Sequence, residues 1–143
     1  MILVDANLLL YARDSTNPDH AAAAAWLTRV LNGPTRVGLP WQNLLAFARI
    51  ATHPRVFQAP LTAEQAWGQI DDWLAAPAAW VPLPTERHGQ IVGAVMRKHD
   101  VRGVLVPDAE LVALALEHGL EIRSADAGFA QFDEVRWSNP LAS

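Results

Sequence analysis

Short apolar runs alternate with helix-forming segments along the whole chain, and this alternation restricts the fold more than any single motif does. The apolar runs predict strands at 1–4, 35–39, 80–83 and 120–123, with a fifth at 135–137. The segments between them predict helices at 8–12, 18–31, 40–51, 62–76, 85–99 and 108–117, with a helical turn at 127–132. Such alternation favours an α/β/α sandwich around a mostly parallel sheet of four to five strands.

Local signals predict where several of the helices begin and end. Asn17 followed by Pro18 is typical of an N-cap and the first helical residue. Thr62 and Gln65 have the spacing of a capping box, in which each side chain bonds the other residue's backbone N–H. Gly119 is expected to end the helix that precedes the fourth strand.

Composition restricts the class of protein. The 143 residues suit one domain spanning 1–143, since no repeat or linker divides them, and 51% hydrophobic against 18% charged residues excludes disorder. No apolar run is long enough to cross a membrane, and a charge at Asp5 without a basic leader argues against a signal peptide, so we expect a cytoplasmic protein. The absence of cysteine excludes disulfides and thiolate metal sites.

The formal charge of −4 is unusual for a protein that binds nucleic acid. A carboxylate cluster is neutralised when it holds divalent metal, however, so the formal charge overstates the repulsion of phosphate. Of the 11 basic residues, Lys98 is the single lysine, and the planar fork of arginine suits phosphate. The charge therefore does not exclude a nucleic-acid substrate.

Three aspartates are placed by the predicted fold near one edge of the sheet. Asp5 directly follows the first strand, Asp126 follows the fourth, and Asp108 begins the helix that leads into the fourth strand. Ligands of such sheets bind beyond the carboxyl ends of the strands. Clustered carboxylates stay ionised together only when cations compensate them, and oxygen ligands without histidine or cysteine favour Mg²⁺ or Mn²⁺.

Each aspartate also has a purely structural interpretation. Asp108, after Pro107, is typical of an acid that caps a helix. Asp126, taken alone, fits an N-cap for the turn at 127–132 as well as it fits a metal ligand. Asp5 is harder to explain in that way, because a charge at the end of an apolar strand must be compensated. The joint placement of all three favours a metal site.

The segments that carry these residues resemble PIN-domain toxins of the VapC type. They are, in order, VDANLLLYA, LPWQNLLAFARIATHPRVF, LVPDAELVALALEHGLEI, SADAGF and WSNPL, and they cover essentially the whole chain. The resemblance implies a compact three-layer nuclease fold and metal-dependent endonucleolytic cleavage of RNA. It also implies a cognate antitoxin of the VapB type that occludes the site, and homodimerisation.

The resemblance also assigns roles to individual residues. Asp5 matches the first metal-binding acid, Asp108 the acid that opens the late helix, and Asp126 the last acid of a Ser/Thr-x-Asp motif. Ser124 fills the hydroxyl position of that motif. Asn7 matches the polar residue two positions after the first acid, and is expected to support the metal ligands rather than bind the ion.

One position departs from the family pattern. Many relatives carry a glutamate in the third helix, where this chain has Ala46, and the loss puts a full two-metal mechanism in doubt. Glu110 is close in sequence to Asp108, but residues two apart on a helix point roughly 160° away from each other. We therefore interpret Glu110 as a first-turn acid favoured by the helix dipole, not as a replacement ligand.

Further residues have weaker signals. Arg49 and Arg55, around the end of the third helix, are candidates for contacts with RNA phosphate. An apolar groove for an antitoxin helix is expected along the third and fourth helices, from the following residues, some of which will belong to the core: Trp41, Leu45, Trp67 and Ile70.

Two other functions remain open beside the ribonuclease. A catalytically weak module that binds antitoxin and RNA is favoured by Ala46. An aspartyl-phosphate phosphotransferase would use Asp5 as nucleophile, but such enzymes usually have a second acid two residues later, where this chain has Asn7, and a lysine near the phosphate.

Overall fold

A computed structural model, which describes residues 1–142, contains a sheet in which neighbouring strands are all parallel. Its strand order is β3-β2-β1-β4-β5. The strands are β1 (Ile2–Val4), β2 (Val37–Gly38), β3 (Ala79–Trp80), β4 (Glu121–Arg123) and β5 (Trp137–Ser138). β1 therefore lies in the middle of the sheet, with β4 beside it.

Two helices lie between each pair of successive strands from β1 to β4. They are α1 (Ala6–Arg13), α2 (His20–Leu31), α3 (Trp41–Ala51), α4 (Ala63–Leu74), α5 (His88–His99) and α6 (Val106–His118). Two 3₁₀ turns, Gly103–Leu105 and Ala127–Gln131, precede α6 and follow β4. No helix within residues 1–142 is both long and apolar enough to cross a membrane.

Hydrophobic side chains pack against both faces of the sheet. Val4 belongs to a cluster with residues of α1–α4, including Leu8 and Phe47. Its neighbour Leu3 belongs to a second cluster with Ile122 and residues of α5 and α6. Because adjacent residues of a strand point to opposite faces, β1 contributes to both cores. The predicted α/β/α sandwich with a parallel sheet is confirmed.

Some predicted helix ends are confirmed and others are wrong. The capping box is formed: the Gln65 N–H donates to Thr62 Oγ1 at 3.1 Å, and the Thr62 N–H donates to Gln65 Oε1 at 2.9 Å. Gly119 ends α6 in the left-handed conformation, with φ of 68°. The second helix does not begin at Pro18, because Asn17 Oδ1 accepts from the Asp19 N–H at 2.8 Å and forms a turn instead.

Several predicted elements are shorter in the structure. β3 ends at Trp80, since its partner β2 offers only two residues for pairing. Pro82 follows, and proline has no N–H to extend a ladder. α5 begins at His88 because Thr85 Oγ1 accepts from the Arg87 N–H at 3.2 Å in a turn before the helix.

The pairing of β1 with β4 is the feature that positions the candidate site. Val4 pairs with Arg123, so the chain leaves both strands at the same level. The Asp5 N–H continues this ladder and donates to the Arg123 carbonyl at 3.0 Å. Asp5 and Ser124 therefore emerge next to each other at the carboxyl edge of the sheet.

Candidate metal centre

Asp5 connects the end of β1 to the start of α1. Its Oδ1 caps α1 by accepting from the Ala6 N–H at 2.8 Å, and its Oδ2 accepts from Ser124 Oγ at 2.7 Å. Burial raises the pKa of this carboxyl, the hydrogen bonds from Ser124 and Ala6 lower it, and the charge of Asp126 raises it, with a net shift upward. Asp5 thus caps α1, a structural role that the sequence analysis did not predict.

Ser124 is fully buried, and all of its hydrogen-bonding capacity is used. Its Oγ accepts from Asn7 Nδ2 at 3.1 Å and from the Asp126 N–H at 3.0 Å. Because a hydroxyl has one donor and two acceptor positions, its proton must go to Asp5. Asn7 Oδ1 in turn accepts from the Ala125 N–H at 3.3 Å. Ser124 and Asn7 thus fix the orientation of the Asp5 carboxylate.

Asp126 follows β4 and is more exposed than Asp5. Its Oδ1 accepts from the Gly128 N–H at 2.8 Å and so caps the 3₁₀ turn, as its structural interpretation predicted. The cap fixes one oxygen and the backbone bond to Ser124 fixes the main chain. Both constraints hold the carboxylate at the edge of the sheet where Asp5 lies.

Asp108 lies in the first turn of α6 and is half-buried. Burial, then the charge of Asp5, then that of Asp126 raise its pKa to about 6. The two acids that act on Asp108 are those from the ends of β1 and β4. The structure therefore brings the three sequence-predicted aspartates into one electrostatic group, and no ion pair within residues 1–142 neutralises any of them.

The donor chemistry of this group suits a hard divalent cation, because all of the oxygens come from carboxylates. The carboxylate oxygens of the three aspartates nevertheless do not all lie within 4.8 Å of one another. In the part of the chain that the structure describes, the set of donors whose atoms all lie within 4.8 Å of one another is His99, Asp133 and Glu134. Lys98 Nζ, 2.8 Å from Asp133, already compensates that set, whereas the three aspartates have no such partner.

Two polar residues at the start of α3 bond the backbone next to the candidate ligands, and the sequence analysis missed them. Asn43, only 2% exposed, donates from Nδ2 to the Val4 carbonyl at 2.8 Å. Gln42 donates from Nε2 to the Pro107 carbonyl at 3.2 Å. These carbonyls directly precede Asp5 and Asp108. The available signal was a polar pair in the otherwise apolar run PWQNLLAFA.

These contacts also locate Ala46. Residues three and four apart share one helix face, so Ala46 lies on the side of α3 from which Asn43 and Gln42 reach β1 and α6. That side is where the family resemblance places an acid. Alanine offers no oxygen there.

Glu110 points away from Asp108. Its Oε2 lies 3.3 Å from His88 Nε2 on α5, and His88 Nδ1 lies 2.6 Å from Glu117 Oε2. Glu110 therefore joins α6 to α5. Its interpretation as a first-turn acid is wrong, because α6 begins at Val106 and Asp108 is the acid of its first turn.

Arg49 and Arg55 are both exposed. Arg49 lines a groove between α3 and α4, and Arg55 lies in the turns after α3, where its N–H donates to His53 Nδ1 at 3.1 Å. No hydrogen bond or ion pair among residues 1–142 joins either arginine to the three aspartates.

The groove between α3 and α4 has a volume of about 320 Å³ and is mostly apolar. Trp41 and Trp67 stack at its edge with ring centroids 6.2 Å apart and planes 3° from parallel. They are 39% and 45% exposed, and Leu45 is 52% exposed. The prediction that Ile70 belongs to this surface is wrong, because Ile70 is fully buried in the core.

The sequence matches the PIN domain family over residues 2–135, and the chain belongs to this family. It is 45% identical over 142 residues to Ribonuclease VapC37 of Mycobacterium tuberculosis, with 99% of each chain covered. It is 38% identical over 141 residues to Ribonuclease VapC33 of the same species, again with 99% of each covered. The resemblance to VapC-type PIN domains is confirmed.

Solved structures share the fold. One is the M. tuberculosis toxin VapC20, which cleaves the sarcin-ricin loop, with a TM-score of 0.65, 18% identity, and 95% of this chain and 99% of that one covered. Another is VapBC2 of Rickettsia felis, bound to a promoter DNA fragment, with a TM-score of 0.70, 13% identity, and coverage of 97% and 98%.

The raised pKa of Asp108 predicts how stability depends on pH in metal-free protein. Ionising this carboxyl costs more in the folded than in the unfolded chain, so its contribution to stability is present near pH 4 and is lost as the pH rises through 6. Asp108→Asn removes this cost. At about 1.4 kcal/mol per pKa unit, discounted because the group is half-exposed, the variant should gain about 1 kcal/mol at pH 7.5.

Urea unfolding in EDTA at pH 4, 6 and 7.5 measures this difference. Asp71→Asn, an exposed acid of α4, is the matched control and should change little at any pH. A gain for Asp108→Asn that is equal at all three pH values would contradict the electrostatic origin.

Proposed function

We propose that this chain is the toxin of a type II toxin–antitoxin system, a VapC-type endoribonuclease that cleaves RNA phosphodiester bonds with Mg²⁺ or Mn²⁺. Asp5, Asp108 and Asp126 are the proposed ligands and catalytic residues. The observation that carries the proposal is that burial first, and then the charges of Asp5 and Asp126, raise the pKa of Asp108 to about 6. Membership of the PIN family and relatives named as ribonucleases support it. Its RNA substrate would make the cytoplasm its place of action.

The residues of the proposed site have different roles. A bound divalent ion would activate water and stabilise the charge on a phosphodiester in its transition state. Ser124 and Asn7 hold Asp5 in one orientation, and the Gly128 N–H fixes one oxygen of Asp126. Burial and the charges of Asp5 and Asp126 raise the pKa of Asp108 to about 6, and a bound cation would favour the ionised form of this carboxyl.

An alternative within the same fold is a catalytically weak module that binds antitoxin and RNA. The observation that favours it is Ala46, which gives the α3 side of the site no carboxylate. The cleavage assay below separates the two functions.

The proposed partners are RNA, a small VapB-like antitoxin and a second copy of the chain. Toxin–antitoxin complexes among the structures that share the fold support the antitoxin. Its amphipathic helix would lie in the apolar groove of α3 and α4, where Trp67 and Leu45 are exposed. An antitoxin arginine would pair with the uncompensated aspartates in a bidentate manner. Arg49 and Arg55 remain proposed contacts for RNA phosphate.

The first prediction of this proposal concerns metal binding. Calorimetric titration with Mn²⁺ should detect binding to the wild type that Asp5→Asn weakens by roughly tenfold or more, because a charged ligand is lost. Asparagine keeps an oxygen that can cap α1, but its NH₂ group then faces the Ser124 proton, so circular dichroism of the variant must first match that of the wild type. Asp133→Asn makes the same change in the cluster of His99 and Glu134 and should leave binding unchanged. If Asp133→Asn loses Mn²⁺ binding instead, the metal binds at the cluster of His99, Asp133 and Glu134 and not at the three aspartates.

The second prediction concerns catalysis. Purified chain should cut a structured RNA slowly in Mn²⁺, and EDTA or Asp108→Asn should abolish the cleavage. Ala46→Glu should strengthen Mn²⁺ binding and speed cleavage, because it adds a carboxylate to the α3 side of the site. If antitoxin-free protein cuts no cellular RNA although it binds Mn²⁺, the binding-module alternative is correct.

The third prediction concerns the partner. Expression of the chain alone should arrest growth, and co-expression of an adjacent small gene should relieve the arrest. Leu45→Asp should keep the toxicity but lose the relief, because a charge in the groove opposes burial of an apolar helix. Leu83→Asp, at a residue 58% exposed outside the groove, should behave as wild type. Relief that persists in Leu45→Asp would exclude this groove as the binding surface.

A further inference from the structure

Gln42 holds a buried polar atom that the fold does not explain. Its Oε1 is the one buried side-chain nitrogen or oxygen within residues 1–142 that has no hydrogen-bond partner. A buried acceptor without a donor is costly, since it has lost water and gained nothing in exchange. Such an atom calls for a partner from outside the chain.

The orientation of the Gln42 amide is determined by its surroundings. The Pro107 carbonyl, 3.2 Å away, can only accept, so the NH₂ group must face it. The carbonyl oxygen of the amide is thereby left as the free atom. Rotating the amide would place two acceptors against each other and lose the one bond that Gln42 makes.

The position of Gln42 relates it to both the acids and Ala46. Its contact at Pro107 is one residue from Asp108. It also lies four residues before Ala46, hence one turn earlier on the same face of α3. The side of α3 that lacks a carboxylate thus carries a neutral oxygen one turn away.

We infer that Gln42 is a further residue of the metal site, which supplies through Oε1 the oxygen that Ala46 cannot, while Nε2 fixes the start of α6 beside Asp108. The inference rests on the proposed metal site. Amide oxygens are accepted ligands and hydrogen-bond partners in the coordination spheres of hard cations. Gln42 therefore replaces a charged group by a neutral one rather than leaving the position empty.

Substitutions can separate the role of the oxygen of the Gln42 amide from the role of its NH₂ group. Gln42→Met is close in shape and removes both the oxygen and the donor. Gln42→Glu removes the donor to Pro107 but keeps an oxygen. If Gln42 only held α6 in place, both variants would be impaired alike, because both lose the bond to Pro107. If its oxygen serves the metal, methionine impairs binding more than glutamate does.

The test is Mn²⁺ binding, followed by electron paramagnetic resonance of free Mn²⁺ at 0.15 M salt, where exposed charges are screened within about 8 Å. Gln42→Met should bind roughly 10-fold more weakly than wild type, and Gln42→Glu should bind more tightly than Gln42→Met. Val104→Glu, at a residue 91% exposed just before α6, adds the same charge without an oxygen at the site and should change affinity less than about twofold.

The outcomes separate this inference from the proposed function. Wild-type affinity in Gln42→Met, or equal weakening in the methionine and glutamate variants, overturns the role of Oε1 while the site of Asp5 stands. Absence of Mn²⁺ binding to the wild type overturns both. Should Gln42→Met fail to fold, Gln42→Asn, which withdraws the amide by one methylene, carries the same expectation of weaker binding.

Discussion

The register between β1 and β4 is the constraint on which the candidate site depends. Because Val4 pairs with Arg123, Asp5 and Ser124 leave the sheet side by side, and a single buried hydroxyl can join them. Ser124 then connects the backbone of Asp126 to the carboxylate of Asp5. A slip of one residue would turn Asp5 to the opposite face. The hydrophobic cores on the two faces of the sheet exclude that slip, so packing far from the site determines its geometry.

The same geometry carries an electrostatic cost that the fold does not relieve. Some acids of this chain are compensated by a neighbouring cation, as Asp133 is by Lys98 at 2.8 Å and Asp100 is by Arg102 at 2.7 Å. Asp5, Asp108 and Asp126 are treated differently, since hydrogen bonds orient two of them and no cation of residues 1–142 pairs with any. Orientation without neutralisation is the expected arrangement for a site that receives a cation, because it fixes the ligands and leaves their charge available.

The sequence predicted those features that follow from local rules. Asp5 and Asp126 could be located because acids after parallel strands meet at one edge, and the capping box at Thr62 is a signal of four residues. Asn17 misled, because its side chain can bond the backbone of a turn as well as that of a helix. Gln42 and Asn43 could not be assigned, since their partners at Pro107 and Val4 are distant in sequence. Ile70 was assigned to the exposed groove although it lies in the core, because the apolar pattern of α4 does not show which of its residues the rest of the fold buries.

The contacts of α3 change what the missing glutamate means. A fourth carboxylate at position 46 would add to the repulsion that already raises the pKa of Asp108. Alanine avoids that repulsion. The polar contacts of α3 are made instead by Gln42 and Asn43, which bond the backbone carbonyls beside Asp108 and Asp5. The helix therefore still fixes the two elements that carry these ligands, although it adds no charge. Without a carboxylate at position 46, the site attracts a cation less strongly, and its acids repel one another less in the metal-free protein. Alanine at position 46 therefore alters metal affinity more than it alters the orientation of the ligands.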